Sequence, residues 1–243
     1  MKSKFFVVGA SVLVCSGLWM GCGGSSTSSG VTNDGGTSTE GGGSEGGGSE
    51  GGTDAGTDSS TVVEITGGFV DIQYKACTPL AACGGDVKGL WRLTGGCVDD
   101  GAFDAAKAQC AGLTESNVKF QARGVIFADA TNITRKTDVK FTATLTVPAV
   151  CVAANPLGTT CKDAEAAVQF SGIKTATCTG PNGGPCVCDV GDETTTNTTN
   201  AYTTSGSTLT SGASTYDYCV AGSEIKYKET TAKAIPAVFT LTK

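Results

Sequence analysis

The sequence contains no histidine. That absence excludes a Ser-His-Asp triad, a Cys-His pair, an H-E-x-x-H zinc site and an imidazole general base. Basic residues are also few: 17 Lys and Arg stand against 23 Asp and Glu, for a formal charge of −6. A pI near 4.7 leaves no basic stripe to meet phosphates, so nucleic acid is not an expected partner. Proline is scarce, at 6 residues in 243, whereas glycine reaches 36. That is about double the usual glycine share, which points to a linker.

Composition divides the chain into three parts. Residues 1–21 read as a secretion signal. Lys2 and Lys4 precede a mostly apolar run from Phe5 to Met20, which is shorter than the roughly 18–20 residues a membrane-spanning helix needs. The signal ends in Leu18-Trp19-Met20-Gly21-Cys22. A small residue before a Cys at this place resembles the lipobox of bacterial lipoproteins. The resemblance implies that Cys22 is lipidated and becomes the first residue of the mature chain. It also implies an outer-membrane destination, because Gly23 stands where an Asp retains such proteins at the inner membrane.

Residues 22–60 comprise this Cys and a linker. A five-residue Glu-Gly-Gly-Gly-Ser unit starts at Glu40 and again at Glu45, and no large apolar residue follows Val31. Such a segment cannot offset the entropy of ordering and is expected to be disordered. As a flexible coil it would span roughly 31–37 Å. It carries six acids and no base, so the linker holds most of the net charge. Residues 61–243 then form one domain, near neutral at 15 bases and 17 acids.

The domain reads as mainly β. Val139, Phe141, Ala143, Leu145 and Val147 alternate with Lys140, Thr142, Thr144 and Thr146, the period of an antiparallel strand with one wet face. Further strands are expected at Phe69–Tyr74, Lys88–Thr94, Val118–Phe127, Ile173–Cys178, Cys186–Val190, Ala201–Thr204, Thr208–Thr210, Tyr216–Val220, Glu224–Lys228 and Ala237–Thr242. Turn residues separate them, as at Gly180–Pro185 and Ala221-Gly222-Ser223. Two short Ala-rich helices are expected at Ala102–Cys110, capped by Asp99 or Asp100, and at Cys161–Phe170, capped by Thr160. Many short strands with regular turns suggest a sandwich or closed barrel.

Without Cys15 and Cys22, ten cysteines remain: Cys77, Cys83, Cys97, Cys110, Cys151, Cys161, Cys178, Cys186, Cys188 and Cys219. In an exported protein, an even number suggests five disulfides. Proximity suggests Cys77–Cys83, Cys97–Cys110, Cys151–Cys161, Cys178–Cys186 and Cys188–Cys219. Metal binding by Cys178, Cys186 and Cys188 is the competing reading, disfavoured without His or paired C-x-x-C units. Asp189, Asp192 and Glu193 read as a polar turn rather than a calcium site. Arg135-Lys136 and Lys226/Lys228 read as small exposed basic spots. No cofactor and no metal are expected.

Gly89-Leu90-Trp91 opens a strand near the start of the domain and resembles the G-x-W motif of lipocalins and related calycin barrels. Tyr202–Thr210, Tyr218–Tyr227 and Val238–Leu241 resemble the C-terminal strands of the same family. The resemblance implies an antiparallel up-and-down barrel with Gly89 and Trp91 as its structural motif and Trp91 packed at the closed end. The late Arg that packs on this Trp in the family is absent. The function implied is a cell-envelope lipoprotein, anchored to the membrane by lipid and presenting a lipocalin-like barrel that binds a small apolar ligand. The alternative is a structural lipoprotein that meets another envelope protein and has a filled barrel. No catalytic residue is expected, and the chain does not read as an enzyme.

Overall fold

The computed structural model describes residues 63–232 and 234–243. The signal, Cys22 and the linker lie outside the described residues. The protein is mainly β: ten strands in one large sheet, with three short helices. The strands are β1 (Val70–Tyr74), β2 (Gly89–Val98), β3 (Thr114–Ala128), β4 (Asn132–Val147), β5 (Thr175–Thr179), β6 (Cys186–Ser205), β7 (Thr208–Ser211), β8 (Ser214–Ala221), β9 (Glu224–Glu229) and β10 (Ala237–Thr242). The helices are α1 (Asp104–Gln109), α2 (Ala149–Ala153) and α3 (Cys161–Phe170). Among the described residues, none is long and apolar enough to cross a membrane.

Antiparallel ladders run from β2 to β3, then β4, β6, β7, β8, β9 and β10, and β10 pairs again with β2. Two strands are additions to this circuit. β1 pairs with β3 and runs parallel to the end of β2, and β5 pairs with the first residues of β6. Tight turns join β7 to β8 and β8 to β9. The second holds Gly222 at φ +61°, a left-handed conformation that glycine adopts without steric cost. Gly124 has a different reason to be glycine. A Cβ there would lie 2.6 Å from the Thr137 methyl and 2.7 Å from the Lys136 carbonyl oxygen, so β3 and β4 could not approach as they do.

The alternating residues of β4 point as their pattern demands. Val139, Phe141, Ala143 and Leu145 are buried, and Phe141 meets Phe120 of β3 with ring centroids 4.9 Å apart. β4 nevertheless begins seven residues earlier than its apolar alternation. Its first half turns Ile133, Arg135 and Thr137 inward, so the hydrophobic pattern breaks where the strand does not. The same cause corrects β6, expected as two strands with a turn. It is one strand through Asp189, Asp192 and Glu193, because Thr196 and other polar side chains occupy its inner face. Arg135, expected at the surface, is buried. α2 escaped detection because it is one turn of A-V-C-V-A with no side-chain cap. α3 carries a full capping box, with Thr160 and Asp163 bonding each other's backbone N–H.

All ten cysteines from Cys77 to Cys219 are paired, though in none of the expected combinations. The bonds are Cys77–Cys97, Cys83–Cys219, Cys110–Cys151, Cys161–Cys186 and Cys178–Cys188. The β5–β6 register explains the last two. Cys178 lies directly opposite Cys188, which leaves Cys186 outside that ladder and free to reach α3. Cys77 and Cys83 do not close a local loop. The segment between them runs from β2, through Cys97, to β8, where Gly84 bridges Cys219.

Trp91 is 1% exposed, and its Nε1–H donates to the Val87 carbonyl at 2.7 Å. Its indole therefore combines a large buried area with a satisfied donor. Trp91→Ala is expected to cost about 3–5 kcal/mol in a denaturant titration. A loss under about 1 kcal/mol would mean that the surrounding strands do not depend on the ring.

Candidate functional site

The inner face changes character along its length. Near Trp91 it is ringed by Tyr216, Tyr218 and Tyr227, and Arg135 lies over the Tyr216 ring at 4.4 Å. Arg135 Nη1 also donates to the Tyr216 hydroxyl at 2.7 Å. Burial works against its charge, opposed by Tyr216. Two small spaces lie in this region. One of about 20 Å³ is bounded by Trp91, Arg135 and the tyrosines, and one of about 10 Å³ lies between Thr137, Tyr227 and Phe239. Each has room for about one water molecule.

Trp91 also receives a cation. Lys243 Nζ sits 4.5 Å from its ring centroid. The last residue of β10 is Thr242, so the strand delivers Lys243 to this place directly.

A larger space is built at the other end of β4 by elements that the sequence revealed only in part. A half-open pocket of about 200 Å³ is lined by α1, α2, α3, Leu145 and Val147 at the end of β4, and the loop residue Ile173. Its walls are Leu113, Leu145, Val152, Ala164, Val168 and Ile173, with Gln109, Asn155 and Ser171 as its polar members. None of the lining residues is charged. The half-cystines Cys110 and Cys151 belong to the wall, and their disulfide ties the end of α1 to α2. α3 is held from behind. Cys161 bonds Cys186, and Glu165, buried and paired with Lys162, accepts the Cys178 N–H of β5 at 3.1 Å. α1 is held by a polar cluster, in which Glu115 accepts from Lys107 at 2.7 Å and from Tyr74 at 3.0 Å. Burial, reinforced by Glu115, raises the Tyr74 phenol well above its usual range.

The other expected sites resolve as follows. Asp192 pairs with Lys174 at 3.1 Å, Glu193 pairs with Lys140 at 3.6 Å, and Asp189 accepts from Thr144 at 2.9 Å. Asp99 accepts from the Gly101 and Cys77 N–H groups and so caps the short 3-10 turn before α1. No cluster of three metal-ligating side chains occurs among the described residues.

Glu229 at the end of β9 gives this inner face a pH response. Burial raises its pKa above the ordinary carboxyl value, opposed by hydrogen bonds from Ser214 and Thr231 and by the charge of Arg135. The folded state then holds the proton more tightly than the unfolded chain. Stability therefore falls as pH rises from the unfolded carboxyl value through the folded one. Glu229→Gln keeps an acceptor for Ser214 and removes the charge. Its melting temperature is expected to gain on wild type as pH rises through that window and to match it in acid. A gap that does not change with pH would contradict this assignment.

The chain matches no protein-family model, no curated protein and no solved structure, so its function rests on the chemistry of these residues.

Proposed function

We propose that this protein is a lipid-anchored component of a bacterial cell envelope, in which a lipocalin-like barrel behind an acidic linker binds a small uncharged apolar molecule. The ladder circuit from β2 round to β10 and back supports an eight-stranded up-and-down barrel, with β1 and β5 added outside it. Trp91 in the G-x-W segment, buried under Lys243, supports the lipocalin-like reading of that barrel. The single observation that carries the binding function is the 200 Å³ apolar pocket under the helices. Apolar cavities of about 150 Å³ accept benzene, so this one suits a single ring or a short alkyl chain. Free acids and amines are poor candidates, since burying an unpaired charge against uncharged walls is costly.

A second reading has its own support. The spaces near Trp91 are too small for a ligand, which favours a filled barrel whose role is structural or protein-binding. The two readings separate in one experiment. The mature chain is titrated with toluene by ligand-observed NMR, beside Ala167→Trp, which places an indole in the cavity. Saturable binding that weakens at least tenfold in the variant, with an unchanged melting temperature, is the expected result. No binding, or equal binding by both proteins, would leave the structural reading in its place. Intact-mass analysis of the membrane fraction tests the anchor separately: a chain lacking residues 1–21 and carrying lipid mass is expected.

A further inference from the structure

Asn155, a half-buried residue just after α2, lines the pocket under the helices. All but one of its hydrogen-bonding groups are spent on the loop that holds it. Its backbone N–H donates to the Val152 carbonyl at 3.2 Å, and its own carbonyl accepts from the Gly158 N–H at 3.3 Å. Its side-chain Oδ1 accepts from the Leu157 N–H at 3.1 Å, the local turn that Asn makes with the backbone two residues on. Pro156 stands between them with its φ fixed by the ring, so the turn has little freedom. The bond from Leu157 also settles the orientation of the amide, because an NH2 group in the place of Oδ1 could not accept. The remaining group is Nδ2, which is buried and has no hydrogen-bond partner among the described residues.

Buried donors are paired in the great majority of cases. One left empty bears the cost of its desolvation with nothing in return, and an acceptor brought to it recovers that cost. The other polar members of the pocket differ from Asn155. Ser171 directs its hydroxyl to the Val168 carbonyl at 2.6 Å, and Gln109 is exposed. Asn155 therefore supplies the one side-chain donor of this wall that is buried, fixed in place and unspent.

We infer that the ligand of this pocket is an apolar molecule bearing one uncharged hydrogen-bond acceptor, a ketone, aldehyde or ester, and that Asn155 selects it by donating from Nδ2. This rests on the binding reading given above. A plain hydrocarbon fills the pocket but leaves Nδ2 empty. An alcohol brings an O–H that needs an acceptor of its own, and a carboxylate brings a charge to uncharged walls. A site built around a hydrogen bond rejects analogues that lack it more sharply than an apolar pocket rejects a change in size, because its own polar group is then left unpaired. The bonds to Val152, Leu157 and Gly158 hold Asn155 before the ligand arrives, so little ordering remains to be done on binding.

The test titrates the mature chain with acetophenone and with ethylbenzene, which are alike in shape and differ in the acceptor, and repeats both titrations on Asn155→Asp. The variant keeps an acceptor for the Leu157 N–H and loses the donor. The ratio of the two affinities within each protein cancels the difference in hydrophobicity between the ligands and the general effect of the new charge. That ratio is expected to move against acetophenone by at least about fivefold in the variant, the net worth of one neutral hydrogen bond. In the wild-type chain, the infrared C=O band of bound acetophenone is expected below its position in an apolar solvent, a readout that does not depend on how the variant folds. An unchanged ratio, or a carbonyl band at its apolar-solvent position, overturns the selection by Asn155, while ethylbenzene binding keeps the pocket reading in place. If neither compound binds the wild-type chain, the pocket reading fails and this inference fails with it.

Discussion

The ladder between β4 and β6 is the constraint on which the rest of the structure depends. It pairs every residue from Asn132 to Val147 with one from Ala201 to Cys186. β3 and β2 hang from one side of it, and β5 and β7 from the other. Its two halves obey different physics. From Val139 to Leu145 the inner face is apolar and leads to the helices. From Ile133 to Thr137 it carries a buried guanidinium and a buried hydroxyl, and Thr196 lies buried across from Thr137. Arg135 is placed there because the tyrosines around it offer a hydroxyl and a π face in a confined space. A shift of one residue in this register would turn Arg135 outward and bring Lys136 and Lys140 in, so the pairing is strongly specified.

The disulfides complement this ladder instead of repeating it. Each joins a part outside the strand circuit to its neighbour. Cys77 and Cys83 fix the segment before β2, Cys110 and Cys151 join α1 to α2, Cys161 fixes α3 to β6, and Cys178 fixes β5 to β6. The circuit strands have ladders on both edges. The additions have only short contacts, and in them cross-linking has the most to offer. In the chain-entropy view, the 136-residue separation of Cys83 and Cys219 constrains the unfolded chain by roughly 5 kcal/mol, and the 10-residue separation of Cys178 and Cys188 by a little under about 3 kcal/mol.

This division also explains what the sequence made legible. Wherever a strand had an apolar inner face, alternation identified it, as at Val139–Val147 and Glu224–Lys228. Where the inner face was polar, the period was present but carried no hydrophobic signal, so the first half of β4 and the middle of β6 read as loop. α3 was legible from its cap and its stop. α2, five residues long, contains too little chain to show a period. The cysteine set was legible from composition alone. Its pairing was not, because each partner is chosen by a strand register or a helix position that cysteine spacing does not reveal. The candidate cavity was hidden for the same reason: its walls come from α1, α2, α3 and the end of β4, and no local motif unites them.

A consequence follows for where function can reside. The strand circuit is closed upon its own side chains near Trp91 and leaves little space there. The uncharged apolar pocket is made largely by the additions, and the additions are held by cystines, one of which is part of its wall. Reduction of Cys110–Cys151 would free α2 from α1 and open that wall while leaving the ladders from β2 to β10 intact. On the reading proposed above, binding and folding are thereby tied to the same oxidising compartment: the cystine in the pocket wall and the cystines that constrain the unfolded chain by roughly 3–5 kcal/mol each are lost together under reducing conditions.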